Sequence, residues 1–144
     1  NLQASIGLAQ LEKIRQIVKK KLLIGNYYTK KLSLISNKIN LPLTSVKYCK
    51  NIHWVYGVVI KDNIKLNASR AITILKKNGI DCRPFFYPMH IQPIYKKMKI
   101  FNNTKFPISE KISKKGFYIP SGLGITRGEQ DIVINKIIEI FNKQ

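Results

Sequence analysis

Side chains suited to binding a ligand are concentrated in one short segment, RPFFYPMHIQP at residues 83–93. It holds three of the chain's six prolines, three consecutive aromatic residues, an arginine and one of only two histidines. Because a residue that precedes proline avoids helical backbone angles, Arg83, Tyr87 and Gln92 are predicted to be extended or turn-like. The predicted loop is stiff and non-helical, and its prominent ring-bearing side chains are Phe85, Phe86, Tyr87 and His90.

Two interpretations of this loop stay open from its residues alone. Loops held by a rigid scaffold are favoured places for ligand contacts, which favours a binding site. The aromatic side chains could equally fill a gap in the hydrophobic core. Loop stiffness does not discriminate between the two.

The cysteines and histidines of the chain do not indicate a metal site. If residues 49–53 are extended, Cys49 and His53 lie about 13 Å apart at a rise of about 3.3 Å per residue. A zinc ion needs all its ligand atoms within about 2.3 Å, so one ion cannot reach both side chains. His53 is instead predicted to be a strand residue with an ordinary hydrogen bond.

Other catalytic patterns are also weak. The loop Ser121-Gly122-Leu123-Gly124 lacks the length and the Lys-Ser/Thr pair of a nucleotide P-loop, so it is predicted to be a plain strand-to-helix turn. No Ser/His/Asp or Cys/His arrangement can be read from the spacing. Seven carboxylates and two histidines leave the chain with few groups for acid–base chemistry.

The formal net charge of +19 invites a nucleic-acid interpretation that the residue types do not favour. Only four of the 26 basic residues are arginine, the side chain preferred for bidentate contacts to phosphate and guanine. The lysines are also spread over the whole chain. We expect weak, salt-sensitive adhesion to polyanions and no specific nucleic-acid partner.

Length and composition predict one ordinary domain with a core of its own. The chain has 144 residues, of which 44% are hydrophobic, and no apolar run approaches the roughly 18–20 residues that span a bilayer. No membrane partner is therefore expected. The start also lacks the charged-then-apolar pattern and small-residue cleavage site of an export leader, so export is not expected either. Two cysteines, Cys49 and Cys82, are predicted to be free thiols in a reducing compartment, with the cytoplasm as the expected location.

The first 35 residues are predicted to form a long helix. Leu11, Ile14, Val18 and Leu22 recur at helical spacing, and the pattern extends to about residue 34 with a possible kink at Gly25. The start of this helix is small and apolar, which suits close packing against another element.

The central part of the chain is predicted to contain a strand, a helix and a second short strand. Residues 52–60, IHWVYGVVI, are rich in β-branched and aromatic residues, with Ile52, Trp54, Tyr56, Val58 and Ile60 on one face. Asn67 is a plausible N-cap for a helix that ends at Lys77, after which Gly79 supplies a left-handed stop. The tetrapeptide IDCR at 80–83 is predicted to be a short strand.

The last third of the chain carries the clearest helix signals. Pro107 is predicted to begin a short helix, and GFYIP at 116–120 is predicted to be a strand. Thr126 and Glu129 form a capping box ahead of an amphipathic helix. Its apolar stripe consists of Ile134, Ile137, Ile138 and Phe141. The predicted fold is α/β: a few-stranded, mainly antiparallel sheet with helices packed on it and a long leading helix.

The longer motifs, in chain order, are NLQASIGLAQLEKI, HWVYGVVI, GIDCRPFFYPMHIQPIY and FPISEKISKKGFYIPSGLGIT. Together they make nearly the whole chain resemble the C-terminal part of the DegT/DnrJ class of sugar-nucleotide aminotransferases. The resemblance implies the small C-terminal domain of a fold-type I enzyme dependent on pyridoxal phosphate (PLP). Residues 1–35 would be a helix leading from a large domain and 36–144 the small domain. The implied reaction transfers an amino group from glutamate to the 4-keto carbon of a 4-keto-6-deoxy sugar nucleotide, in an enzyme expected to be a homodimer.

The same resemblance implies roles for the loop at 83–93. Phe86 would line the pocket over the sugar and the cofactor, with Phe85 and Tyr87 beside it. His90 would lie at the pocket edge, within reach of a substrate hydrogen bond. Arg83 would face a phosphate or a carboxylate.

The chain departs from the family pattern in one important respect. The family's Schiff-base lysine, its cofactor-ring aspartate and its main phosphate ligands precede the matched region, and none of the 22 lysines lies in the matching context. The resemblance thus implies that PLP is bound mainly by an N-terminal domain, that this chain holds no catalytic residue, and that it is inactive alone. The alternative is a stand-alone basic module that binds a nucleotide sugar or nucleic acid.

Overall fold

A computed structural model describes residues 1–101 and 104–143 of the chain. Its helices are α1 (Leu2–Glu12), α2 (Ile14–Leu32), α3 (Ala68–Lys77), α4 (Pro93–Lys97), α5 (Pro107–Lys115) and α6 (Arg127–Asn142). Its strands are β1 (Ile39–Asn40), β2 (Ser45–Val46), β3 (Cys49–Lys50), β4 (Tyr56–Ile60), β5 (Arg83–Pro84) and β6 (Gly116–Ile119). Short 3₁₀ turns cover Ser33–Ile35 and Met89–Ile91.

Four of these strands form the main sheet in the order β1-β4-β6-β5, and every pairing is antiparallel. In the centre, Val58 of β4 lies opposite Phe117 of β6, while Arg83 of β5 pairs with Tyr118. The strands β2 and β3 form a separate hairpin. The predicted α/β class with a mainly antiparallel sheet is confirmed.

One face of the sheet carries the hydrophobic core. Side chains alternate between the two faces of a strand, and in β4 it is Tyr56, Val58 and Ile60 that are fully buried. Phe117 and Ile119 of β6 lie opposite two of them, so they share this face. Helices α2, α3 and α6 contribute further buried residues to the same cluster: Ile24, Tyr28, Leu32, Ala68, Ala71, Leu75, Val133, Ile134, Ile137, Ile140 and Phe141.

The predicted long leading helix is two helices, and the break lies at Lys13, so the expected kink at Gly25 is wrong. The Lys13 N–H donates to the carbonyls of Gln10 and Leu11, which tightens the last turn of α1. Helix α2 runs on without a break through Gly25. The two helices also differ in burial, since α1 has no buried residue whereas α2 packs one face into the core.

The predicted strand at 52–60 is correct only in its second half. β4 begins at Tyr56, because His53 has a positive φ of 53° that turns the chain out of the extended conformation. Ile52 and Trp54 are therefore exposed instead of sharing the buried face of Tyr56. The β2–β3 hairpin, which precedes this turn, was not predicted.

Helix starts and stops were predicted well. The Asn67 side chain accepts a hydrogen bond from the Arg70 N–H at 2.9 Å, and Gly79 has the left-handed φ of 76° that ends the turn after α3. At the start of α6, the Thr126 N–H donates to Glu129 at 2.7 Å and the Glu129 N–H donates to Thr126 Oγ1 at 3.3 Å. Both capping predictions are confirmed.

The segment 83–93 is only partly the loop that was expected. The proposed strand at 80–83 is reduced to Arg83 and Pro84, which pair with β6 at the sheet edge where proline is tolerated. Met89–Ile91 forms a 3₁₀ turn, so the segment is not free of helical structure. Gln92 is extended, as expected before Pro93, which then begins α4. Among the described residues, no helix is long and apolar enough to cross a membrane.

Candidate functional site

The face of the sheet opposite the core is built around two glycines. Gly57 of β4 and Gly116 of β6 lie on this face. A Cβ atom on Gly57 would lie 2.7 Å from the Phe85 ring, and a Cβ atom on Gly116 would lie 2.4 Å from it. The ring therefore lies directly on the backbone of the two strands. It also stacks on Tyr118, with ring centroids 4.5 Å apart and an interplanar angle of 28°.

The three consecutive aromatic residues consequently have different environments. Phe85 is partly buried against the sheet, whereas the side chains of Phe86 and Tyr87 are 77% and 57% exposed. Phe86 makes a tilted contact with Tyr118 at a centroid distance of 6.1 Å. Phe85 thus packs as a structural residue, whereas Phe86 is presented to solvent and its contact to a ligand stays a prediction.

Phe86 forms a wall of two concave regions on this face. The larger, of about 620 Å³, lies between the loop and the start of α5. Its lining is mainly apolar, with a lysine and two serines: Phe85, Phe86, Lys105, Phe106, Pro107, Ile108, Ser109, Ile112, Ser113 and Tyr118. We call this region the α5 groove.

The smaller region, of about 340 Å³, lies on the other side of Phe86. It is lined by Trp54, Val55, Arg83, Pro84, Phe86 and Tyr118. We call it the Trp54 pocket. Sequence reasoning missed Trp54 and Tyr118, because it assigned both only to strands. A signal that could have drawn attention to Trp54 is that it is the only tryptophan in the sequence.

Arg83 lies at the sheet edge with its guanidinium largely in solvent. Its nearest acidic partner is Asp81, with Nη2 3.4 Å from Oδ2 and both side chains more than two-thirds exposed. An exposed pair of this kind contributes little to stability. The guanidinium is thus available for an anionic ligand.

The turn before Trp54 is fixed by contacts to other elements. The Lys21 Nζ of α2 donates to the carbonyl oxygens of Trp54 and Ser121, each at 2.8 Å. The Ser121 hydroxyl in turn accepts a hydrogen bond from the Tyr56 N–H at 3.2 Å. These bonds tie α2, the turn, the start of β4 and the loop after β6 together.

His53 does not have the ordinary hydrogen bond that was predicted, and it is not a strand residue. Its side chain is buried, with the residue 2% exposed, and neither ring nitrogen has a hydrogen-bond partner among the described residues. The ring stacks on Tyr56 at a centroid distance of 5.7 Å and fills the space over Gly25. Burial lowers the pKa of His53, because the charged form loses water without gaining an acceptor.

His90 is also buried, but its ring is paired. The Nε2 atom lies 3.0 Å from Oε1 of Glu110 on α5, and the ring contacts Phe106 at a centroid distance of 4.8 Å. The hydrogen bond to His90 lowers the pKa of Glu110 below its ordinary value. The structure thus gives His90 a role in joining the loop to α5, and a contact to substrate stays a prediction.

The two concavities beside Phe86 offer few groups that could hold PLP. No Asp or Glu that could pair with the pyridine nitrogen lines the α5 groove or the Trp54 pocket. Burial lowers the pKa of Lys21, as a Schiff-base lysine requires, but its Nζ is already committed to two carbonyl oxygens. Across residues 1–101 and 104–143, no group of three or more His, Cys, Asp or Glu is placed to hold a metal ion.

The architecture is that of solved sugar aminotransferases. The chain matches Helicobacter pylori PseC, an aminotransferase involved in the biosynthesis of pseudoaminic acid, with a TM-score of 0.85 at 15% identity over 99% of this chain and 37% of that one. It matches the PLP form of the putative sugar aminotransferase Spr1654 from Streptococcus pneumoniae with a TM-score of 0.85 at 18% identity, covering 97% and 35% of the two chains. The chain therefore has the fold of one part of each of these two solved chains.

A family profile matches nearly the whole chain. The profile of the DegT/DnrJ/EryC1/StrS aminotransferase family matches residues 1–138, and the chain belongs to this family. It is similar to the GDP-perosamine synthase of Vibrio cholerae, with 30% identity over 99% of this chain. The GDP-perosamine synthase of Caulobacter vibrioides is 29% identical over 98% of it. In both comparisons the chain spans 37% of the relative's length.

Proposed function

We propose that the complete protein carrying this chain is a PLP-dependent aminotransferase of perosamine type. It transfers an amino group from glutamate to the 4-keto carbon of a 4-keto-6-deoxy sugar nucleotide, in the synthesis of a surface polysaccharide such as O-antigen. The observation that carries this proposal is the match of nearly the whole chain to two GDP-perosamine synthases at about 30% identity. We propose a cytoplasmic homodimer as its working form.

In this proposal the chain supplies the substrate-facing wall and the rest of the protein supplies the cofactor site. PLP, when bound, supplies an electron sink for the amino transfer. In support of this division, no carboxylate that could pair with the cofactor ring lines the α5 groove or the Trp54 pocket, and we assign the lysine that holds PLP to the part of the protein outside this chain.

The contribution of this chain is binding and exclusion of water. The apolar α5 groove beside Phe86 shields a substrate from solvent, which strengthens the polar interactions of the reacting groups. Arg83 presents a guanidinium for a phosphate. Phe85, seated on Gly57 and Gly116, holds the loop so that Phe86 keeps its position on the outer face.

The proposal is tested by assaying the complete protein with glutamate, PLP and a GDP-linked 4-keto-6-deoxy sugar. We expect the amino sugar nucleotide to form, with a mass shift that mass spectrometry detects, and 2-oxoglutarate to appear in equal amount. Amination of other nucleotide-linked keto sugars, but not of the GDP-linked one, would keep the aminotransferase class and reject the perosamine type. Absence of amination with any of them would reject the proposal.

The alternative of a stand-alone basic binding module is not favoured. The family match covers residues 1–138, which leaves no separate basic segment to explain. The high lysine content is also compatible with a family member, because surface lysines mainly affect solubility and weak adhesion to polyanions.

A further inference from the structure

Two large aromatic side chains are exposed around the Trp54 pocket. The side chains of Trp54 and Phe86 are 68% and 77% exposed, and both line the same concavity of about 340 Å³. Binding sites for small molecules are concave regions of roughly 300–1,000 Å³ with mainly apolar walls and few polar groups. The Trp54 pocket has this size and character.

The outward direction of Trp54 is set by the structure around it. His53 has a left-handed φ of 53°, which is uncommon for a residue with a side chain, and its buried ring leaves two nitrogens without partners among the described residues. Backbone strain of this kind persists only where the surroundings hold it in place, and it clusters at ligand and active sites. Lys21 fixes the next carbonyl, that of Trp54, at 2.8 Å. The exposed indole is therefore presented by an anchored turn.

The chemistry of the pocket specifies the kind of ligand. Arg83 is the only charged side chain among the described residues that line it. A guanidinium binds phosphate oxygens in a bidentate manner. Exposed aromatic rings bind the flat faces of nucleobases by stacking. A ligand with a flat ring at one end and a diphosphate beside it complements both features.

We propose that the Trp54 pocket binds the nucleoside diphosphate part of the substrate. The nucleobase stacks against Trp54 and Phe86, and Arg83 contacts the diphosphate, which leaves the α5 groove on the other side of Phe86 for the sugar. This inference rests on the proposed function, since it takes the substrate to be a nucleotide sugar. It adds Trp54 as a binding residue and divides the substrate between the two concavities.

The test measures binding without amino transfer. The complete protein is titrated calorimetrically with GDP, guanosine and inorganic pyrophosphate. Trp54→Ala is expected to weaken GDP binding roughly five- to a hundredfold, in line with the loss of one stacked base, and Trp54→Phe is expected to restore most of the affinity. Arg83→Gln is expected to weaken the binding of GDP and pyrophosphate while leaving that of guanosine unchanged.

A matched control is Tyr48→Ala, which removes another exposed aromatic side chain, 90% exposed, from the β2–β3 hairpin outside both concavities. It is expected to leave GDP binding unchanged. Unchanged GDP affinity in Trp54→Ala would overturn the proposal, as would failure of the wild-type protein to bind GDP. A lower melting temperature with unchanged GDP affinity would mean that another part of the protein covers the indole, and this too would overturn it.

The outcomes for this inference and for the proposed function are distinguishable. GDP binding that depends on Trp54, in a protein without aminotransferase activity, would reject the proposed function and keep the pocket assignment. Amino transfer with an unchanged KM in Trp54→Ala would keep the function and reject the pocket.

Discussion

Gly25 of α2 and His53 of the turn before β4 are packed so closely that no side chain fits between them. A Cβ atom on Gly25 would lie 2.2 Å from Cγ of the His53 ring and 2.7 Å from its Cβ. Cβ and Cγ lie on the axis about which the ring rotates, so rotation about the Cβ–Cγ bond does not relieve these contacts. The glycine allows α2 to lie against the turn that presents Trp54.

The first prediction follows from this contact. Gly25→Ala is expected to destabilise the protein by about 1–3 kcal/mol, because overpacking outweighs the gain of roughly 1 kcal/mol that alanine brings to a helix interior. Urea unfolding followed by circular dichroism measures the change in the free energy of unfolding.

Two further variants complete this test. In His53→Gly, which tolerates the positive φ, the added Gly25→Ala is expected to cost nothing, since the opposing side chain is gone. Gly7→Ala in α1 is the matched control, because nothing lies within 4 Å of the added Cβ and the helix should be unchanged or more stable. Equal destabilisation by Gly25→Ala with and without the His53 ring would contradict the packing account.

The second prediction concerns the pH dependence of stability. Because burial lowers the pKa of His53 in the folded state, the unfolded chain binds a proton that the folded chain does not as the pH falls below about 6.5. The free energy of unfolding is therefore expected to decrease from pH 6.5 downwards, by at most about 1.4 kcal/mol per pH unit. Among the described residues, burial, and no charged partner, accounts for the lowered pKa of His53. The nearby Tyr56 is not an anion in this pH range, since burial raises its pKa to about 12.

The variant His53→Asn separates this effect from other titrations. Asparagine tolerates a positive φ and does not titrate, so its unfolding free energy is expected to be flatter between pH 5 and 6.5. The lowered pKa of Glu139, about 2, and that of Glu110 affect stability only at lower pH, where these carboxylates become protonated. Identical pH profiles for wild type and variant would show that His53 does not titrate on unfolding.

The third prediction uses Phe85 and Phe86 as a matched pair of neighbours. Phe85→Ala is expected to destabilise the protein by about 2–4 kcal/mol, because it leaves a gap over Gly57 and Gly116. Phe86→Ala is expected to change stability by less than about 0.5 kcal/mol but to raise the KM for the sugar nucleotide. Thermal unfolding and steady-state kinetics measure the two effects. The opposite assignment of stability and KM effects would reverse the roles given to these rings.

The fourth prediction distinguishes a substrate contact of His90 from its structural pairing. If His90 binds substrate, His90→Ala is expected to raise KM roughly ten- to a hundredfold with an unchanged PLP absorbance band. Glu110→Ala removes the same hydrogen bond without removing the ring, so its effect on KM is expected to be much smaller. Equal effects of the two variants on KM would assign His90 to positioning the loop on α5.

The fifth prediction concerns the lysines of this chain. A lysine amine attacks an aldehyde only in its unprotonated form, and a free lysine side chain is mostly protonated at neutral pH. Lys21 has a lowered pKa, but both of its carbonyl contacts would have to break before it could react. Incubation of the purified chain with PLP, borohydride reduction and mass spectrometry are expected to show slow, scattered labelling and no turnover. Stoichiometric labelling of one lysine together with amino transfer would place the cofactor site inside this chain.

Local sequence by itself determined the elements whose cause lies within a few residues. The caps at Asn67 and Thr126 were predicted because a side-chain oxygen satisfies a backbone N–H two or three residues away. The stripe of α6 was predicted because its spacing follows from helix geometry. The family was indicated by longer motifs in a fixed order, which depend on evolutionary relatedness and not on any single physical rule.

Only the tertiary structure decided which side chains face the candidate site. The turn at His53, with its positive φ, depends on the space that Gly25 of α2 leaves for the His53 ring. This turn is what exposes Trp54. Likewise, Phe85 and Phe86 are adjacent residues of the same type, but only the Phe85 ring packs against the two strand glycines, Gly57 and Gly116. These features result from packing between elements distant in the chain, and such contacts leave no local periodicity to read.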